Sequence, residues 1–168
     1  MTDVTITILP AAPLHAFEIW NAPGQVAARF VAAMGFALPP MCHSAGNDTS
    51  RLIRYEPTVW LVEGDATAFP AILGDDGALT AIGGGIVRVR LSGRGWRALL
   101  MEGGVFEAES EAFAPCCSAA TIIDHVAVRL HVVSEEACDA YVPASFSAGL
   151  VQFWKDAVRS LVGLASGR

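Results

Sequence analysis

Lysine is almost missing from this sequence. Lys155 stands alone beside ten arginines, and no run of basic residues or arginine cluster interleaved with aromatics occurs anywhere. With a net charge of −6, the chain lacks the electrostatic footprint that nucleic-acid binding requires. Long hydrophobic runs are missing too. The longest stretch without Asp, Glu, Lys or Arg, residues 30–47, is broken by Gly35, Pro39-Pro40, His43 and Ser44, which excludes a membrane-spanning helix. Asp3 and the lack of an early basic residue argue against a secretory signal, so the expected compartment is the cytoplasm.

Cysteine is scarce and unpatterned. Cys42, Cys116, Cys117 and Cys138 show no C-x-x-C spacing, and no two of them or of His43, His125 and His131 stand at zinc-ligand spacing. They read as structural thiols. No G-x-S-x-G is present, and no Ser/His/Asp or Cys/His arrangement has a local signature, so no catalytic residue is assigned.

What is present is apolar for a free monomer: 53% hydrophobic and 17% charged residues. That balance points to surface covered by a partner or by a second copy.

Along the chain, "VTITIL" reads as an edge strand, followed by a loop through Pro10 and Pro13. Pro23 fits the first turn of a helix, with Asn21 as its cap and Gly35 as its stop. Val26, Ala27, Phe30, Val31 and Met34 mark its apolar face. Residues 39–50 form a polar connector, and "LIRY" and "TVWLVEG" are strands. Asp65 is placed to cap a short helix toward Leu73, and Asp75-Asp76-Gly77 is a turn. "ALTAI" and "IVRVRL" flank Gly83-Gly84-Gly85, a hairpin or bulged corner. A strand-like stretch over 118–133 (one strand or two), a turn at Ser134-Glu135-Glu136 and the strand "CDAYV" follow. The last helix opens at Ser145, carries Phe146, Leu150, Trp154, Ala157, Val158 and Leu161 on one stripe, and ends at Gly163.

Gly93-x-Gly95-x-x-Ala98 after a strand has the order of a dinucleotide fingerprint, but its context is wrong. A doubly covered parallel strand would not carry Arg88 and Arg90, Trp96 stands where a backbone should approach a pyrophosphate, and Glu109 and Glu111 lie in a Glu-rich turn. The loop reads as a corner, with Ser92 capping the helix through Met101 and Trp96, Leu99 and Leu100 facing the core.

Alternation defines the fold class. Val87, Val89 and Leu91 oppose Arg88 and Arg90; Val126, Val128, Leu130 and Val132 oppose His125, Arg129 and His131. Such strands belong to a mostly antiparallel sheet with packed helices, an α+β fold. Asp124 and His125, adjacent in a strand, would point to opposite faces and form no dyad. If the two strands are neighbours, Arg88, Arg90, His125, Arg129 and His131 gather into a positive patch. It is either an exposed face balanced by the Glu-rich turn or a contact surface for a carboxylate-bearing ligand or acidic partner. One domain is expected over residues 1–168, with 1–22 as an arm or edge strand and 23–163 as the core.

Read in order, "VWLVEG", "ALTAIGGGIVRVRLSGRGWRALLMEGG", "FAPCCSAATIIDHVAVRLHVV", "YVPASFSAGLVQFW" and the closing helix resemble the gamma subunit of heterotetrameric sarcosine oxidase. In that family Phe-x-Pro is followed by a glycine and Cys-Ala-Gln-Thr; here Cys116 stands at the glycine and Ser118-Ala119-Ala120-Thr121 replaces the motif. The resemblance implies a fold similar to the folate-binding domain of aminomethyltransferases. It further implies a non-catalytic subunit of a complex that demethylates sarcosine and passes the one-carbon unit to tetrahydrofolate. Flavin, NAD and zinc would then belong to alpha-, beta- and delta-type partners, with no cofactor bound by this chain unless tetrahydrofolate itself. The other readings are a stand-alone folate-binding or one-carbon-transfer protein, and a homo-oligomer.

Overall fold

A computed structural model describes residues 3–104 and 106–165, the side chains of 161–165 excepted. The chain divides into two compact units, one of Met1–Pro10 with Gly85–Arg168 and one of Ala11–Gly84.

The first unit is a five-stranded antiparallel sheet with two helices. Its strands are β1 (Thr5–Ile8), β7 (Ile86–Ser92), β8 (Ser118–Ile123), β9 (Val126–Ser134) and β10 (Ala137–Pro143), in the order β1-β7-β10-β9-β8. "TITI" is the edge strand its composition predicts. α3 (Trp96–Met101) and α4 (Ala144–Ala165) pack on the apolar side of the sheet. Val89 and Leu91 of β7, Val128, Leu130 and Val132 of β9, and Cys138, Ala140 and Val142 of β10 meet Trp96, Leu99, Leu100, Leu150 and Trp154 there. Each large side chain so buried contributes about 1.5–3 kcal/mol.

The second unit holds the other sheet, in the order β3-β4-β5-β2-β6: β2 (Leu14–Ile19), β3 (Ser44–Gly46), β4 (Ser50–Arg54), β5 (Val59–Gly64) and β6 (Gly77–Ala81). α1 (Pro23–Met34) and α2 (Phe69–Leu73) complete it. Phe17 anchors the core edge-to-face against Phe30, Trp60 and Phe69, at centroid distances of 6.0, 6.0 and 5.5 Å.

Several local expectations change. Beyond the loop through Pro10 and Pro13, "LHAFEI", unassigned from sequence, is the strand β2, flanked on both sides by partners. Strand β3 interrupts the polar connector. α1 begins at Pro23 and closes on Gly35, at φ 77°, but its N-cap is Ala22 without a side-chain hydrogen bond, so Asn21 does not cap it. Val31 points outward, 47% exposed. Asp65 accepts from the Thr67 N–H at 2.9 Å, ahead of α2, whose N-cap is Ala68. That bond holds the Asp65 carboxyl below its ordinary range. The three glycines form a short 3-10 turn, and no hairpin results because β6 and β7 belong to different sheets.

Ser92 ends β7, pairing with Thr5 and Ala137, and Gly95 is the N-cap of α3. Gly93 makes the corner at φ 100°, where a Cβ would collide with the Asp3 carbonyl. In α4, Phe146 is 57% exposed and lies off the buried face of Leu150, Val151 and Trp154. The helix continues past Gly163 to Ala165; the Leu161 side chain lies outside the described residues.

Two turns carry the geometry around β8. Ala114-Pro115-Cys116-Cys117 is closed by the Cys117 N–H donating to the Ala114 carbonyl at 2.9 Å, with Cys116 at φ 68°. Proline at the second position and a left-handed residue at the third define a type II turn, whose third position favours glycine. The Cys116 N–H donates to the Val132 carbonyl and the Val132 N–H to the Cys117 carbonyl. Two residues thus oppose one, a bulge whose first residue is left-handed. Between β8 and β9, Asp124 (φ 45°) and His125 (φ 65°) form a two-residue type I′ hairpin closed by the Ile123–Val126 pair. They are a turn, not part of a strand.

Candidate functional site: the polar face of the first sheet

The pleat sends alternate residues of β7, β10 and β9 away from the helices, and register sets them side by side. Arg88 faces Tyr141, which faces Arg129. One step along, Arg90 faces Asp139, Asp139 faces His131, and His131 faces Ser118 on β8. Strands β7 and β9 are therefore not neighbours; β10 lies between them and supplies the centre of both rows. Four of the five residues singled out from sequence, Arg88, Arg90, Arg129 and His131, share this face. His125 does not join them: it sits in the hairpin turn, four residues or about 13 Å of strand beyond Arg129.

Asp139 and Tyr141 are the members that sequence reasoning missed. Their signal was the alternation Asp139-x-Tyr141 inside "CDAYV", the same polar/apolar period that marked the arginines. Asp139 is 1% exposed, His131 2% and Tyr141 2%. The buried carboxylate is met by Arg90 in a bidentate pair, Nε to Oδ1 at 2.7 Å and Nη2 to Oδ2 at 2.8 Å. Arg88 donates through Nη2 to the Pro10 carbonyl at 2.7 Å. Three guanidiniums, those of Arg88, Arg90 and Arg129, thus stand on this face of an acidic chain, with the Asp139 carboxylate among them. Arg88 and Arg129 share this face with the Arg90–Asp139 pair, and guanidinium groups suit bidentate recognition of a carboxylate.

On the opposite side of β10, burial drives the Cys138 thiol well above its ordinary range, and the Asp139 charge adds to the effect. Cys138 is thus a core thiol.

Two grooves lie elsewhere. One of about 300 Å³ in the first unit is lined by Arg97, Glu109, Ser110, Glu111 and Glu135. Arg97 is engaged there, donating through Nη1 to the Ala108 and Phe113 carbonyls at 2.6 and 2.8 Å and lying over the Trp96 ring at 4.3 Å. A second, of about 410 Å³ in the other unit, is lined by Pro13, His15, Ala81 and Gly83 among others. Among the described residues no three His, Cys, Asp or Glu side chains gather as metal ligands, and no helix is long and apolar enough to cross a membrane.

No family model matches the chain, and no curated protein matches its sequence. Its fold, however, is shared with solved structures. It superposes on a chain of heterotetrameric sarcosine oxidase from Corynebacterium sp. U-96, solved in complex with pyrrole 2-carboxylate, with a TM-score of 0.83. Identity is 19%, and the match covers 94% of this chain and 84% of that one. It also superposes on the glycine cleavage system aminomethyltransferase T from Bartonella henselae with a TM-score of 0.64 and 13% identity, over 91% of this chain but 45% of that one. The chain has the α+β fold of these two proteins, and the resemblance read from its motifs holds at the level of fold.

Proposed function

We propose that this chain is a non-catalytic, gamma-type subunit of a sarcosine oxidase-like complex, acting in the cytoplasm and contributing assembly surface. The carrying observation is the coverage of the two fold matches. The chain corresponds to most of one chain of the heterotetramer, 84%, and to less than half of the aminomethyltransferase, 45%. A fold match over most of one chain of an assembly supports a subunit role more than a match over less than half of a transferase supports a transferase role. Under this reading flavin, NAD and zinc are held by alpha-, beta- and delta-type partners, and the one-carbon unit passes to tetrahydrofolate there.

The shared face of Arg88 and Arg129 supports a second reading, a stand-alone folate-binding or one-carbon-transfer protein. The glutamate tail of a folate is a carboxylate, and those two guanidiniums would hold it. Affinity capture of the tagged chain from its own cells, with calorimetric titration of tetrahydrofolate into the purified chain, separates the readings. Large coloured partners and no heat of titration favour the first. A lone chain that releases heat with folate, reduced by Arg88→Ala and Arg129→Ala, favours the second.

A further inference from the structure

We infer that Cys116 and Cys117 form a thiol–disulfide exchange site for low-molecular-weight disulfides of the glutathione class. The pair occupies the third and fourth positions of the type II turn ahead of β8. There the backbone is tied to β9 on both sides, through the Cys116 N–H and the Cys117 carbonyl to Val132. Cys116 is exposed and Cys117 half-buried, while Cys138 lies in the core. Neither residue is joined to another cysteine. The left-handed φ of 68° at Cys116 is a conformation that disfavours any side chain, and it falls at an exposed turn residue. An accessible thiol beside a less accessible one is the arrangement of an attacking and a resolving cysteine.

The exchange balances in two steps. The Cys116 thiolate attacks one sulfur of the small disulfide, forming a mixed disulfide and expelling one small thiolate. The Cys117 thiolate then attacks Sγ of Cys116, forming the Cys116–Cys117 bond and expelling the second. Two protein thiols are oxidised, the small disulfide is reduced to two thiols, and the two protons leave with them. A bond between adjacent cysteines closes a small strained ring, and strained, exposed disulfides are readily reduced, so the change reverses.

The test treats the reduced full-length chain with oxidised glutathione, alkylates remaining thiols and digests with trypsin. Cleavage after Arg97 and Arg129 releases residues 98–129, which contain both thiols and no other cysteine. The expected course is a fragment carrying one glutathione, then a fragment lacking two hydrogens and refractory to alkylation, restored by dithiothreitol. Cys117→Ser should stop at the mixed disulfide on Cys116. Cys116→Gly, which suits the backbone and keeps the fold, should give neither product. The inference is overturned if residues 98–129 take up two alkyl groups when Cys42 already carries glutathione. A mixed disulfide that never resolves in the native chain overturns it equally.

Discussion

Arg90 and Asp139 face one another across β7 and β10 with two guanidinium nitrogens on two carboxylate oxygens, at 2.7 and 2.8 Å. The carboxylate is 2% exposed in its side chain and the guanidinium 37%. Removing the arginine would strand a buried charge, whereas removing both members would not. Arg90→Met should therefore cost about 2–4 kcal/mol in urea unfolding, and Arg90→Met with Asp139→Leu should recover most of that loss. A double variant as unstable as Arg90→Met alone would show that a stranded Asp139 charge is not what the single substitution costs.

The turn at Cys116 predicts a gain. The side chain occupies a left-handed position where glycine carries no steric cost, offset in part by glycine's greater freedom in the unfolded chain. Cys116→Gly should stabilise the chain by about 0.5–1 kcal/mol in the same assay, while Cys117→Gly, on the pleated side of the bulge, should destabilise it.

Cys138 predicts a pH dependence with a definite sign. In the unfolded chain its thiol ionises near the ordinary value of 9.0, whereas in the folded chain burial keeps it protonated to well above that. Below pH 9 both states hold the proton and stability is unaffected. Above it the unfolded state binds fewer protons, so stability falls as pH rises, by up to about 1.4 kcal/mol per pH unit. The denaturation midpoint should drop above pH 9, and the part of that slope due to the thiol should disappear in Cys138→Ala.

Domain organisation is tested by calorimetry. The expectation of one domain predicts a single transition whose calorimetric and van't Hoff enthalpies agree, although the chain forms two compact units. Two resolved transitions would mark Ala11–Gly84 as an independent folding unit.

What was legible in the sequence was local. Alternation in "VRVRL" and "HVAVRLHV" gave the strands and their polar sides, and Pro23 and Gly35 bounded α1 because each imposes a backbone geometry on its own position. What was not legible depended on partners distant in sequence. Ser92 reads as a helix cap until Thr5 and Ala137 pair with it on either side and draw it into β7. Leu14–Ile19, assigned to no element from sequence, becomes a strand because β5 and β6 satisfy its backbone on both sides. The polar face was foreseen through Arg88, Arg90, Arg129 and His131. Its centre was not, because only strand order inserts Asp139 and Tyr141 between them. His125 went astray because a polar pair inside an apolar run takes the two left-handed positions of a hairpin turn.

The most direct test of the subunit reading is affinity capture of the tagged chain from its native extract at low salt, followed by the absorbance spectrum and subunit stoichiometry of the eluate. The account predicts large partners in fixed ratio to this chain, with a flavin spectrum. A colourless eluate containing only this chain, from an extract in which such partners are present, would contradict it.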